Sequence, residues 1–191
     1  MDGGEQAKSA RLFVGVRIIP DIAEQLAAFA APLNEARGRL VAASDIHLTL
    51  VPPWQETSIQ CAIERLSEVA KRFAPFSLRF LHVGYGPQPS RPRLLWTDCA
   101  DGDELVALAT TLMIAFGQQQ TRPFRPHVTL ARLRDDGRHV ARKYPIDRNI
   151  DMAQSVTTVE LFRSPAPGAT GYEVMASVAL AGTPPSTAGS E

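Results

Sequence analysis

Two tetrapeptides in this chain repeat one pattern, His47-Leu48-Thr49-Leu50 and His127-Val128-Thr129-Leu130: histidine, aliphatic, threonine, leucine. Successive side chains of a strand point to opposite faces, so in each copy the histidine and threonine share one face while the aliphatic residues share the other. Each segment is therefore suited to a half-buried strand. What precedes the two copies also matches. Arg11 to Ile19 (RLFVGVRII) reads as a buried strand stopped by Pro20, and Asp21 to Arg37 as an amphipathic helix through Ile22, Leu26, Phe29 and Leu33. Leu94 to Cys99 (LLWTDC) again reads as a strand, and Gly102 to Gln119 as a helix through Leu105, Leu108, Leu112 and Phe116. His47 falls 34 positions after Phe13, and His127 falls 32 positions after Leu95. The order strand, helix, histidine-bearing strand thus occurs twice, which points to an internal duplication.

The remaining segments fill in around this repeat. Leu40 to Val51 alternates until Pro52 and Pro53, where a strand is expected to end. Thr57 to Phe73 has helical spacing through Ile59, Ile63, Leu66 and Val69, and Phe76 to Val83 and Pro126 to Leu133 alternate as strands. Gly84 to Arg93 (GYGPQPSRPR) reads as an exposed connection that divides the chain near its middle. Ser155 to Phe162 and Tyr172 to Leu180 are two further strands, set up as a hairpin by the turn-rich SPAPGATG between them. Residues 1–10 are expected to be a flexible N-terminus, 11–181 a single two-lobed domain, and 182–191 (GTPPSTAGSE) a disordered tail with little to bury.

Composition limits the function classes. The 191 residues suffice for one sizeable core, and 20 basic against 20 acidic residues leave no global field that would favour nucleic acid. One local imbalance remains. Arg122 to Arg148 holds eight basic residues against three acidic ones, either a phosphate-receiving surface or a solvated helix and loop. Cys61 and Cys99 form neither a metal-ligand spacing nor a disulfide framework, so buried free thiols are expected. No apolar run reaches signal-peptide or membrane-span length, which favours a cytoplasmic protein without membrane contact.

The chemistry sits on the two polar strand faces. If a pseudo-twofold relates the halves, both faces meet in one groove that carries His47, Thr49, His127 and Thr129. One neutral imidazole can take a proton from an attacking water while a second, protonated one donates to a departing alkoxide, and an ordinary pKa of ~6.5 allows both states near neutrality. Threonine hydroxyls can donate to non-bridging phosphate oxygens. Neither motif supplies a nucleophile. Zinc is a weaker rival, because no third ligand sits at a metal-like spacing. Asp45 lies on the face of His47 but has no counterpart before His127. His82 and His139 lack a threonine two positions on and read as ordinary surface or core residues.

These residues resemble the two-histidine phosphoesterases, and within them the bacterial RNA 2′,3′-cyclic phosphodiesterases once described as 2′-5′ RNA ligases (LigT type). The resemblance runs over nearly the whole chain: RLFVGVRIIP, DIHLTL, PRLLWTD, RPFRPHVTLAR and VELFRSPAPGATGYEVMASVAL. It implies an α+β fold of two pseudo-symmetric lobes with antiparallel sheets around a central cleft and helices outside. It also implies hydrolysis of an RNA 2′,3′-cyclic phosphate end to a 2′-phosphomonoester without metal; no cofactor is expected, and a monomer is the expected state. Carried over by motif, His47 is the proton donor and His127 the proton acceptor, with Thr49, Thr129 and Arg132 on the phosphate. The residues alone are symmetric between donor and acceptor.

Arg132 completes the family's H-x-T-x-x-R pattern, yet five positions from His127 places it on the opposite face of a regular strand, so it reaches the cleft only past a bulge or strand end. Family members often continue the first motif as HLTLKFLG, where this chain reads HLTLVPPW and reshapes the rim. Trp54 there is either a base-stacking platform or a packed lip of the cleft, and Phe13 and Tyr172 are either cleft aromatics or core. Alternative substrates within the same mechanism are a small cyclic nucleotide or a 2′-5′-linked oligonucleotide. A different class, an RNA end-binding protein without turnover, also fits the residues.

Overall fold

A computed structural model of the protein describes residues 9–35, 38–119, 122–133, 137–166 and 169–183. Of the flexible start expected over residues 1–10 and the disordered tail expected over 182–191, residues 1–8 and 184–191 lie outside the described residues, and Ala10 already belongs to the first strand.

The run RLFVGV forms β1 (Ala10–Arg17), buried without interruption from Leu12 to Val16 because it lies between two other strands. Pro20, whose missing N–H costs nothing in a first turn, opens α1 (Pro20–Ala30), which buries Ile22, Ala23, Leu26 and Ala30. A 3₁₀ turn (Ala31–Glu35), the short β2 (Arg39–Leu40) and a second 3₁₀ turn (Ala43–Asp45) lead into β3 (His47–Glu56). Next comes α2 (Ile59–Ala70), started by Ser58, whose hydroxyl accepts from the Cys61 N–H at 3.3 Å. After β4 (Phe76–Gly86) and β5 (Leu94–Cys99) come α3 (Asp103–Ala115), β6 (His127–Arg132), α4 (Gly137–Lys143), β7 (Arg148–Val156), β8 (Thr158–Arg163) and β9 (Glu173–Ala179).

The strands join in one antiparallel sheet, in the order β7-β4-β5-β6-β3-β1-β8-β9, with β2 against β6. The order is symmetric about the β6/β3 junction: β5 mirrors β1, β4 mirrors β8, and β7 mirrors β9. The fold is α+β with two related lobes, as the sequence implied. The lobes are not the two halves of the sequence, however. β4 follows the first histidine strand in the chain but pairs with β5 of the second lobe, while β8 follows the second histidine strand and pairs with β1 of the first. The halves exchange strands, so Gly84–Arg93 joins two paired strands of one lobe and its first three residues belong to β4.

Other boundaries also shift from the sequence reading. β3 runs through Pro52 and Pro53 to Glu56, because Trp54, Gln55 and Glu56 still pair with Leu12, Arg11 and Ala10. The prolines fall where the register shifts, between the pairs Leu12–Trp54 and Val14–Val51, so no ladder bond depends on their absent N–H. The segment Ser155–Phe162 spans the end of β7 and the start of β8 and is not one strand. Cys99 is buried as expected, but Cys61 is exposed on α2.

One apolar core lies behind the junction. Leu48, Leu50, Val128 and Leu130 are buried there with the inner faces of the helices. α1 packs against β6 and α3 against β3, so each helix leans on the histidine strand of the other half. Truncating one of these leucines to alanine would cost ~2–5 kcal/mol. That rigid backing leaves the opposite face of β3 and β6 as the floor of a site.

Candidate active site

β3 and β6 meet at a single antiparallel pair, Leu48 with Val128. Both side chains are fully buried, which turns the residues on either side of each to the open face. Counted outward from that pair, His47 comes abreast of Thr129, and Thr49 comes abreast of His127. The histidines therefore lie on a diagonal, a relation that separates residues by ~7–8 Å in a regular antiparallel pair. The interval suits a phosphate held between two imidazole tips.

Both rings are oriented in the same way. His47 Nδ1 is 2.7 Å from the backbone oxygen of Asp45, and His127 Nδ1 is 2.8 Å from that of Arg125. A carbonyl only accepts, so Nδ1 carries the hydrogen in both rings. Nε2 is left to accept a proton when the ring is neutral and to donate one when it is charged. The counterpart of Asp45 before the second motif is thus Arg125, acting through its backbone. The Asp45 carboxylate serves another purpose: Oδ1 accepts the Tyr172 N–H at 3.2 Å and fixes Tyr172 beside the site.

The two surroundings differ. His47 is packed by Phe13 (ring centroids 4.8 Å apart), the edge of Tyr172 (5.0 Å) and Phe162 (5.6 Å). Burial lowers its pKa below the ordinary imidazole value, and the charges of Arg132 and His127 act the same way, against the raising influence of the Asp45 carbonyl and carboxylate. His127 instead rests on Trp96, with centroids 4.5 Å apart, and the Arg125 guanidinium lies 4.6 Å from the Trp96 ring. Arg125 is tied through Nε and a terminal nitrogen to Asp98 Oδ1 at 3.1 and 3.0 Å. Gly86 makes room for the indole, since a Cβ there would come within 2.4 Å of the Trp96 ring. On the other lobe Gly15, opposite Thr49, performs a similar service for the backbone: its Cβ would lie 2.6 Å from the Leu48 oxygen.

Arg132 does reach the site, by a bulge. Opposite β5 the register steps from Leu95–Ala131 to Trp96–Thr129, which leaves Leu130 as an extra residue in β6. Leu130 and Ala131 are consecutively buried, the alternation resets, and Arg132 emerges on the face of His127 and Thr129. β3 does the same at Leu50, between Val14–Val51 and Gly15–Thr49. Position 52, equivalent to Arg132, carries proline, so the arginine has no symmetric partner.

A cleft of about 610 Å³ opens on the His47 side, lined by His47, Thr49, Phe13, Tyr172 and Arg132 among others. His127 and Thr129 stand across the strand junction from it. Arg11 and Arg39 also line the cleft, and Arg39 pairs in register with Arg132. Among the described residues none of these three arginines forms an ion pair. Like charges opposed across two strands are unfavourable, so the arrangement fits a surface that takes an anion. Among the described residues no three His, Cys, Asp or Glu side chains gather as a metal site would need.

All five residues singled out from sequence, His47, Thr49, His127, Thr129 and Arg132, thus sit on adjoining parts of one face. Phe13 and Tyr172 are cleft aromatics. Trp54 is not: it packs on Phe116, with centroids 4.7 Å apart, and donates to Glu56 at 3.3 Å. His82 pairs with Asp147 at 2.5 Å, away from the cleft lining. The basic stretch divides, with Arg132 in the cleft, Arg125 on Trp96 and the 137–143 residues in α4. Sequence reasoning missed Arg11, Arg39, Trp96, Arg125 and Phe162. Arg11 was within reach of it, being two positions from Phe13 on one strand face.

A family model for the 2′-5′ RNA ligase superfamily matches residues 19–163, which contain both motifs. A protein of Archaeoglobus fulgidus named RNA 2′,3′-cyclic phosphodiesterase is 30% identical over 164 residues, covering 78% of this chain and 92% of its own. Among solved structures, Escherichia coli LigT complexed with 3′-AMP superposes with a TM-score of 0.72 at 28% identity, over 91% of this chain and 99% of that one. TT0787 of Thermus thermophilus shares the fold with a TM-score of 0.76 at 23% identity, over 90% and 98% of the two chains. Matched over most of its length by the family model and sharing this fold, the chain belongs to the 2′-5′ RNA ligase superfamily.

Proposed function

We propose that the protein hydrolyses RNA 2′,3′-cyclic phosphate ends to 2′-phosphomonoesters, without metal, by general acid and base catalysis between His47 and His127. The observation that carries this reading is the matched pair of imidazoles, each with Nδ1 tied to a carbonyl at 2.7 or 2.8 Å and Nε2 left for substrate. The names of the relatives support the substrate class. Neutral His127 takes a proton from water through Nε2 as the water oxygen bonds to phosphorus. The P–O3′ bond breaks, and protonated His47 gives its proton to O3′. One water is consumed, the strained ring opens, and the phosphate remains on O2′. Thr49, Thr129 and Arg132 hold the non-bridging oxygens, where negative charge builds up.

Burial, with the Arg132 charge, favours the neutral form of His47. A donor must be charged, and the incoming phosphate anion supplies the opposing field that restores its proton. The same lowered pKa favours a second assignment, with His47 as base and His127 as acid. A substrate with a p-nitrophenolate leaving group separates the two, because such a group departs without a proton. The variant lacking the donor keeps turnover on that substrate, whereas the variant lacking the base loses it. Retention by His47→Ala supports the first assignment and retention by His127→Ala the second. Equal loss in both contradicts a division of labour between them.

A further inference from the structure

We propose that Arg11 and Arg39 form a second anion subsite, which holds the phosphodiester next upstream of the cyclic end and makes an oligonucleotide terminus the preferred substrate over a free cyclic mononucleotide. This deepens the function proposed above and rests on it. Both guanidiniums line the same cleft as His47, and neither has a carboxylate partner among the described residues. Asp45, the one acidic residue in the lining among the described residues, is engaged with the Tyr172 N–H. Arg132 suffices as the cation for the scissile phosphate. Two more within one cleft exceed what a single phosphate requires.

Their placement suggests where the extra charge belongs. Phe13 touches His47, and Arg11 lies two residues further along β1, ~7 Å away along the strand. Arg39 projects beside Arg132 from β2. Arg11 thus enters the cleft from β1, at the Gln55 end of β3, and Arg39 from β2 against the end of β6, so the two reach one cavity from different strands. Leu40, Val41, Pro53 and Pro165 line the space among them and offer an apolar surface to a ribose or base. The Arg11 backbone is held in place there, since its oxygen accepts the Ser164 N–H at 2.8 Å. A guanidinium fork matches two oxygens of a phosphodiester, and a volume of about 610 Å³ holds more than a lone phosphate.

The test compares a dinucleotide ending in a 2′,3′-cyclic phosphate with the same molecule carrying a neutral methylphosphonate at the internucleotide linkage. The intact protein should prefer the charged linkage in kcat/KM by at least about tenfold, the value of one charge-assisted hydrogen-bonded contact. In Arg39→Ala and Arg11→Ala that ratio should collapse towards one, and the slope of log kcat/KM against log salt should flatten by ~0.7 per lost contact. Indifference of the intact protein to the linkage charge, or a ratio unchanged in both variants, overturns the subsite. Dissociation constants of the corresponding 2′-phosphate products, charged and neutral, read the subsite without turnover. Discrimination in binding with no turnover of either substrate would sink the hydrolase reading and leave the subsite standing; turnover without discrimination would do the reverse.

Discussion

Replacing Gly15 by alanine tests how tightly the first histidine strand is held. The added Cβ would lie 2.6 Å from the Leu48 oxygen and 3.4 Å from the Phe162 ring. The shortest ordinary carbon–oxygen contacts are ~3.3 Å, so the strands must part by about 0.7 Å. The atom struck is backbone and cannot rotate away. Overpacking of this kind costs ~1–3 kcal/mol, against which a glycine-to-alanine change regains ~0.4–1 kcal/mol by restricting the unfolded chain. A net loss of about 1–2 kcal/mol corresponds to a fall in Tm of ~2–8 °C for a chain of this length.

The larger effect should be on rate. Leu48 stands between His47 and Thr49, and Gly15 is the register partner of Thr49, so the displacement falls where both side chains are aimed. Misplacement by ~1 Å can cost ~100-fold in rate, so kcat/KM should fall by about 10- to 100-fold while the protein remains folded at assay temperature. Thermal melts and steady-state kinetics on one preparation measure both. A variant with unchanged Tm and unchanged kcat/KM would refute the clash. A lowered Tm with full activity would show that the strain is relieved away from His47 and Thr49.

Other perturbations separate the remaining contributions. His47→Ala and His127→Ala should each reduce kcat by ~10²–10⁴-fold, the usual contribution of a general acid or base, with circular dichroism unchanged. Arg125→Ala removes the clamp between Asp98 and Trp96, a half-exposed contact whose ion pair is worth only ~0.2–1 kcal/mol of stability. Its signature should be a several-fold fall in kcat with little change in KM or Tm, and an unaltered kcat would remove the positioning role. Acid stability reads the burial of His47: its folded pKa lies below 6.5, so the unfolded chain binds the proton first as pH falls. The stability is complete above about 6.5 and declines as pH drops towards the folded value. Urea unfolding of His47→Gln should show a flatter decline between neutral pH and mild acid, and an identical slope would exclude His47 as its source.

The site was legible where one side chain determines its own face. His47 with Thr49 and His127 with Thr129 follow from the two-residue period alone, and their meeting follows from the repeat. Arg132 was not, because its orientation depends on Leu130 looping out against Leu95 and Trp96, a register event between strands about 35 residues apart. Pro52 and Pro53 misled for a related reason: they break an isolated strand pattern, but here they sit in a gap of the ladder. The exchange of β4 and β8 between lobes leaves no local mark, since each strand satisfies the same apolar pattern in either place. Arg39 became visible only when β2 paired with β6.

The most direct test of the account is incubation of the protein, in EDTA, with a short RNA ending in a 2′,3′-cyclic phosphate, with 2′- and 3′-phosphomonoesters resolved as products. A 2′-phosphate should form at full rate in chelator and be lost in His47→Ala and in His127→Ala. Turnover that needs an added metal, or that survives in both variants, would contradict it.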